Sequence, residues 1–377
     1  MFKEELARLE REGLRRKRRT LEGPQGSLVQ VDGTSYVSFC SNDYLGLANH
    51  PDLIEAVCLG AKQFGVGAGA SHLLLGHSAL HEQAEKALAE FVRQPAALLF
   101  STGYMANIGV LAMLAGRNDA VFCDKLNHAS LNEAAILSRA RFHRYPHLDM
   151  DALEVLLSRS VQGRKVVVTD AVFSMDGDIA PVPKLLELCE KYDAILLLDD
   201  AHGFGVLGDG RGILAHFGIR SHRIVYMGTL GKAAGASGAF VAGDEDLIDM
   251  LVQKSKSYVY TTAQPPMLAK AILASLNLIE AEAWRRKHLA ELADHLKSGI
   301  GDALMPSNTP IQPLVVGASE AALKLSAKLM ESGMIVPAIR PPTVPKGSSR
   351  LRISLSASHT FEQLDRLIKA LKDAAPY

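Results

Sequence analysis

The chain has 377 residues, more than one small hydrophobic core can hold, so a large and a small domain are expected. Apolar residues make up 48% and charged residues 22%, with 41 basic side chains against 41 acidic ones. That balance gives no electrostatic reason to bind nucleic acid or an acidic membrane. No apolar run approaches the roughly 18 residues of a membrane span, and the N-terminus carries charge instead of an apolar signal. Cys40, Cys58, Cys123 and Cys189 form no CxxC pair, so reduced thiols in a cytoplasmic protein are expected.

Residues 2–19 read as a charged helix, with Leu6, Leu9 and Leu14 on a thin apolar stripe and seven basic residues from Arg8 to Arg19. They serve either as a solvated face or as a grip on an anionic substrate, which guanidinium takes in a fork. Val29–Phe39 reads as a hairpin about Asp32-Gly33. The loop Ser41-Asn-Asp-Tyr-Leu-Gly-Leu47 then carries more polar and aromatic groups than a connection requires. Residues 65–78 hold Gly65, Gly67, Gly69 and Gly76, as a mobile linker or as a loop shaped around a ligand or a neighbouring subunit. His77 and His81 stand four apart on an expected helix that runs to about Val92. That spacing can hold zinc, but no glutamate follows His77 as HExxH demands, and no metal is expected.

From Ala96 to Gly243 short apolar runs alternate with helix-like stretches. The expected strands are Ala97–Phe100, Ala120–Cys123, Lys165–Thr169, Ala194–Asp199, Arg223–Met227 and Ala239–Ala242. Such alternation predicts a doubly wound, mostly parallel sheet with helices on both faces. Ligands bind such sheets beyond the carboxyl ends of the strands. Polar residues cluster after several of these runs, in Ser101-Thr-Gly-Tyr-Met-Ala-Asn107, Asn127-His-Ala-Ser130 and Phe173-Ser-Met-Asp-Gly-Asp178. Free N–H groups at a helix start after Ser101 suit a phosphate, the alternative for Ser101 or Asn127 being a plain helix cap.

The run Ile195-Leu-Leu-Leu-Asp-Asp-Ala-His-Gly203 ends in a carboxylate, Asp199, and a histidine, His202. A carboxylate at a buried strand end needs a cationic partner. Arg223-Ile-Val-Tyr-Met-Gly-Thr-Leu-Gly-Lys232 then delivers Lys232 among small residues. A lysine in a dry pocket has a lowered pKa and forms a Schiff base with an aldehyde. Together they point to pyridoxal 5'-phosphate, its protonated ring nitrogen facing Asp199 and its aldehyde facing Lys232. Gly203-Phe-Gly-Val-Leu-Gly208 matches GxGxxG but has further glycines at 210 and 212, so it reads as a loop and not as a dinucleotide fingerprint.

Gln264–Ala281 and Trp284–Leu304 read as long helices. A small α/β unit follows, with strands at Ile311–Val316, Met334–Ile339 and Arg350–Ser354 and helices near Glu320–Ser332 and Thr360–Ala374. Between its last two strands, Arg340-Pro-Pro-Thr-Val-Pro-Lys-Gly347 makes a rigid loop whose arginine and threonine can hold a substrate anion. The expected division is residues 1–50 as helix and hairpin, 51–280 as the large cofactor domain, and 281–377 as the small domain.

These pieces resemble, in order and spacing over essentially the whole chain, the α-oxoamine synthases, a branch of the fold-type I pyridoxal phosphate transferases. The matching stretches are 41–47, 127–130, 173–178, 199–203 and Thr229-Leu-Gly-Lys232. The resemblance implies that Lys232 carries the cofactor as an imine and moves protons at the substrate α-carbon, with Asp199 on the pyridinium nitrogen. It implies that His128 stacks on the ring, that Ser174 and His202 bond its phenolate oxygen, and that Gly103, Tyr104 and Thr229 contact the cofactor. Thr261 and Thr262 match a segment that reaches the phosphate of the partner subunit in a homodimer with shared active sites. Asn42, His128 and Arg352 are expected on the amino-acid substrate, and Arg15, Arg340 and Thr343 on the acyl substrate. Ala338-Ile-Arg-Pro-Pro-Thr-Val-Pro345 resembles the biotin-pathway acyltransferases that join L-alanine to a pimeloyl thioester, on CoA or a carrier protein, with loss of carbon dioxide. The alternative within the family is glycine with a short acyl-CoA.

Overall fold

In the computed structural model, which describes residues 2–12, 14–16, 18–160 and 162–374, the apolar runs become the strands of a central sheet. A hairpin of β1 (Leu28–Val31) and β2 (Thr34–Ser38) precedes it. The sheet comprises β3 (Ala96–Phe100), β4 (Ala120–Asp124), β5 (Arg141–Tyr145), β6 (Lys165–Asp170), β7 (Ala194–Asp199), β8 (Ile224–Thr229) and β9 (Ala239–Gly243). Their order is β3-β9-β8-β7-β6-β4-β5, and β9 alone runs against its neighbours β3 and β8. Side chains alternate across a strand, so each strand feeds two cores. Phe122, Val167, Leu196, Leu198 and Phe240 enter one core. Val121, Val166, Val168, Leu197 and Val241 enter the other. Helices cover both faces, which is why these strands read as unbroken apolar runs. Full burial of each such side chain contributes about 1.5–3 kcal/mol.

Strand β5 is an addition to the expected set. Its sequence Arg-Phe-His-Arg-Tyr is half polar because it lies at the sheet edge, paired only with β4. Edge strands carry charge on their open side, so the apolar signal is lost.

The remaining strands are β10 (Ile311–Gly317), β11 (Met334–Ile335), β12 (Ala338–Ile339) and β13 (Ser349–Ser354). The single strand expected over Met334–Ile339 is divided. Met334 and Ile335 pair with β2, while Ala338 and Ile339 pair with β13. Pro337 stands at the break, lacking the N–H a continuous ladder requires, and its carbonyl accepts from the Arg352 amide at 3.0 Å. The hairpin is thereby joined to the C-terminal layer.

Two helix expectations also change. The first helix is Phe2–Arg11, not 2–19; it stops short of Gly13, a residue about 1 kcal/mol worse than alanine in a helix. Residues 13 and 17, within the expected span, lie outside the described residues. The helix expected to include His77 starts at Ala79, with Ser78 as its N-cap. His81 completes that cap, its Nδ1 accepting the Ser78 N–H at 3.0 Å. The stretch 203–212 forms turns, as the extra glycines foretell. A side chain at Gly212, where φ is +90°, would press on the Asp200 carboxylate. Among the described residues no helix is long and apolar enough to cross a membrane.

Candidate active site

Four parallel strands bring their carboxyl ends to one edge of the sheet. Strand β7 ends at Asp199, β8 leads into Lys232, β4 into His128, and β6 into Ser174. The Lys232 loop is a tight turn in which the Gly235 N–H donates to the Lys232 carbonyl at 2.9 Å. Gly235 has a φ of +63°, and a Cβ there would lie 2.5 Å from the Leu47 carbonyl carbon. Only glycine lets this loop seat against residues 47–48.

A hydrogen-bonded chain starts at the lysine. Lys232 Nζ lies 2.9 Å from His202 Nε2, and His202 Nδ1 lies 2.6 Å from the Tyr44 hydroxyl. Arg352 Nη2 donates to the Tyr44 oxygen at 3.3 Å, and both its terminal nitrogens lie 3.2 Å from Asn42 Oδ1. Arginine can only donate, and of the two acceptors left to the Tyr44 hydrogen, Asn42 Oδ1 at 3.2 Å and His202 Nδ1 at 2.6 Å, the shorter contact takes it. His202 then keeps its proton on Nε2 and donates it to Lys232 once that amine has lost its own proton, above about pH 8. The electrostatics agree. Burial lowers Lys232 to about 8, against the pull of Asp199 and Asp170. Burial, then the charges of Lys232 and Arg352, holds His202 well below its ordinary value.

Tyr44→Phe tests this proton placement. Without the hydroxyl, His202 can turn its lone pair to Lys232 and accept from the ammonium. The lysine midpoint is expected to rise by about one pH unit. The check is the pH dependence of borohydride trapping of an added aldehyde; an unmoved midpoint contradicts the assignment.

Asp199 is 3% exposed and makes no ion pair among the described residues. Its Oδ2 accepts from the Asn107 amide at 2.7 Å and its Oδ1 from the Ala201 N–H at 3.0 Å. The Asn107 amide also reaches Ser130 Oγ at 2.9 Å, while its own Oδ1 is buried without a partner. His128 is held by Ser130 Oγ, 2.8 Å from its Nδ1, and by Asp170, which accepts its backbone N–H at 2.6 Å. Burial lowers the His128 pKa, opposed by Asp199.

On the adjoining loop, the Ser174 carbonyl accepts from Arg352 Nε at 2.5 Å. Asp176 pairs with the buried Arg350. Asp178 Oδ2 is 2.7 Å from His147 Nε2, whose Nδ1 is 2.9 Å from Asp124 Oδ1. Burial pulls His147 down, but the hydrogen bonds and charges of Asp124 and Asp178 outweigh it and raise the imidazole to about 10. A raised folded pKa stabilises fully below the unfolded value near 6.5, and the gain is lost as pH rises through about 10. His147→Gln is expected to cost about 2–3 kcal/mol at pH 6 and less towards pH 10. Urea unfolding at several pH values measures it; a penalty independent of pH would sink the clamp.

The helix Gly103–Leu114 starts beside β8. Thr102 caps it, accepting from the Met105 N–H at 3.1 Å, and a Cβ added at Gly103 would meet the Met227 side chain at 3.6 Å. Tyr104 is 41% exposed. Thr229 Oγ1 donates to the Gly238 carbonyl at 3.2 Å.

Lys232, His202, Asp199, His128, Ser174, Asn42 and Arg352 thus meet. Arg15 does not join them: it pairs with Glu10 at 3.1 Å on the surface. Thr262 bridges to Ser71 beyond the cluster, with Thr261 beside it. Thr343 makes a turn onto the Arg340 carbonyl at 3.0 Å. Among the described residues, no side-chain hydrogen bond ties Thr261, Thr262 or Thr343 to the Lys232 group. Tyr44, Asn107 and Ser130 carry no signal of their own in the sequence, although each lies in a stretch that does.

The profile of class I and II aminotransferases matches residues 34–371. The 8-amino-7-oxononanoate synthase of Nitrosospira multiformis is 62% identical over 364 residues, 96% of this chain and 92% of that protein. Among solved structures, serine palmitoyltransferase from S. paucimobilis with a bound PLP–myriocin aldimine matches with a TM-score of 0.93. It is 28% identical, covering 99% of this chain and 96% of that one. The 8-amino-7-oxononanoate synthase from Francisella tularensis matches with a TM-score of 0.79 at 31% identity, covering 90% and 97%. Fold and matches define a pyridoxal phosphate-dependent enzyme of the class I and II aminotransferase type. Within that class, the chain belongs to the family of the 8-amino-7-oxononanoate synthases.

The residues present fit the cofactor. Asp199 is a buried carboxylate lacking a side-chain cation, which a protonated pyridine nitrogen supplies. Lys232 is an amine lowered to about 8, and the Gly103 helix start offers N–H groups to a phosphate.

Proposed function

We propose that this chain condenses L-alanine with a pimeloyl thioester, on CoA or on a carrier protein, to 8-amino-7-oxononanoate in biotin synthesis, releasing the thiol and carbon dioxide. The observation that carries the reading is the meeting of Lys232, Asp199 and the Asn42–Arg352 pair at one sheet edge. Identity of 62% to a synthase of that name supports the substrate class.

When bound, pyridoxal phosphate supplies an aldehyde for the amino group and an electron-withdrawing ring for the negative charge at the α-carbon. Asp199 would hold the proton on the ring nitrogen, and Asn107 keeps the carboxylate fixed for it. His128 would stack on the ring. His202 and Ser174 would bond the phenolate oxygen, Gly103 and Tyr104 would contact the cofactor, and Thr229 would bond its phosphate. Arg352, steadied by Asn42, holds the alanine carboxylate in a fork. Lys232, which burial lets lose its proton at about pH 8 and not 10.5, takes the α-proton and later returns one at the same carbon. Arg340 and Thr343 serve the acyl substrate, and Arg15 joins them only on leaving its pairing with Glu10.

The reading includes a cytoplasmic homodimer in which Thr261 and Thr262 reach the partner's phosphate. Its support is the apolar surface beside the Ser71–Thr262 bridge, where Leu75 is 96% and Tyr260 81% exposed. We take residues 51–280 as the cofactor domain and 281–377 as the small domain, with 1–50 laid across the latter through β2 and β11.

The test offers L-alanine and glycine, each with pimeloyl-CoA and acetyl-CoA, and follows thiol release. Alanine with pimeloyl-CoA is expected to exceed every other pair by at least about tenfold. Turnover confined to glycine and acetyl-CoA rejects the reading.

A further inference from the structure

A second polar cluster lies away from Lys232. His77 Nε2 is 3.5 Å from Glu82 Oε2 and 3.8 Å from Glu85 Oε2, and the three ligand atoms fall within 4.8 Å of one another. The two glutamates sit three residues apart on the helix Ala79–Phe91, so they share a face. His77 returns over that face from the turn before the helix. Ligands about 2.1 Å from a common ion stand roughly 3.0–3.5 Å apart, so the two His77 contacts are within a few tenths of an ångström of that spacing, and rotation of the Glu82 side chain brings the third atom in.

The surroundings are those a metal-bound imidazole uses. His77 Nδ1 lies 2.9 Å from His72 Nδ1. With a metal on Nε2, His77 donates its remaining N–H to His72, which orients the ring. His72 is itself fixed by stacking on Tyr258, 4.7 Å between centroids and 16° between planes. Glu85 is 12% exposed in its side chain. One of its oxygens accepts from the Leu99 N–H at 2.9 Å, and the other faces His77. Lys86 pairs with Glu82 at 2.9 Å through Oε1, leaving Oε2 for an ion. The cluster opens on a groove of about 630 Å³ between this helix and Glu245–Lys254, which gives an ion and its waters a way in.

Three histidines, His72, His77 and His81, also lie close enough to share an ion, but His81 has no nitrogen to give. Its Nδ1 accepts from Ser78 at 3.0 Å and its Nε2 donates to the Gln264 carbonyl at 2.9 Å. We propose that His77, Glu82 and Glu85 bind one divalent transition ion, zinc in the first instance, as a clamp of the glycine-rich 65–78 loop onto the helix. An imidazole among the ligands selects zinc over magnesium or calcium. Water completes the shell.

The experiment uses chelator-washed holoenzyme titrated with zinc chloride by calorimetry. One zinc per chain is expected, with no comparable heat from calcium. Zinc affinity should fall at least about tenfold in both His77→Gln and Glu82→Gln, while melting in chelator and basal activity stay unchanged. X-ray absorption at the zinc edge should show one nitrogen and otherwise oxygen neighbours. Undiminished binding in His77→Gln and Glu82→Gln overturns the site. So does a shell of three nitrogens, which assigns the ion to the histidine trio.

Discussion

Lys232→Ala is expected to lose covalent capture of pyridoxal phosphate and at least about 10³-fold in turnover. The wild-type amine is lowered to about 8 from 10.5 by burial, against Asp199 and Asp170. The free-amine fraction at neutral pH is therefore two to three orders of magnitude above that of a solvated lysine. Treating the cofactor-free protein with pyridoxal phosphate and then borohydride should leave one added mass on the peptide containing residue 232. The yield should rise through about pH 8. A rise centred near 10.5 means that the pocket does not tune the amine, and a full adduct in Lys232→Ala places the capture elsewhere.

Asp199→Asn should leave cofactor binding largely intact and stop the chemistry. The amide keeps the carboxylate's shape but removes the charge that holds a proton on the ring nitrogen. Exchange of the L-alanine α-hydrogen in deuterium oxide, read by proton NMR, is expected to fall at least about 10³-fold. The side chain currently accepts from both Asn107 and Ala201, and an asparagine must turn its NH₂ towards one of them. A stability loss of about 1–3 kcal/mol accompanies the change, so melting and cofactor affinity must be measured beside exchange. Exchange near the wild-type rate rules out Asp199 as the source of the ring's electron demand.

The central sheet was readable because β4, β6, β7 and β8 are buried on both faces, which forces continuous apolar runs. The polar residues after them mark where the runs stop. Strand β5 hid because an edge strand tolerates Arg141 and Arg144. Pro337 was visible, but nothing local says that the two sides of it join different sheets. Within the site, Asp199, His202 and Lys232 stand at strand ends, where position alone argues for them. Tyr44 and Asn107 have no such signal. A tyrosine in a loop and an asparagine in a helix acquire meaning only from the atoms they meet, His202 in one case and Asp199 in the other. The meeting of Asn42 and Arg352 is likewise invisible to periodicity, since 310 residues separate them.

That separation has a consequence for biosynthesis. A ribosome releases the chain from its N-terminus, and domains tend to fold as they emerge. Asn42 is therefore waiting long before Arg352 leaves the exit tunnel, whereas Asp199 and Lys232 arrive between them. A polypeptide stopped before residue 352 would carry the amine and its facing carboxylate but no guanidinium for the amino acid.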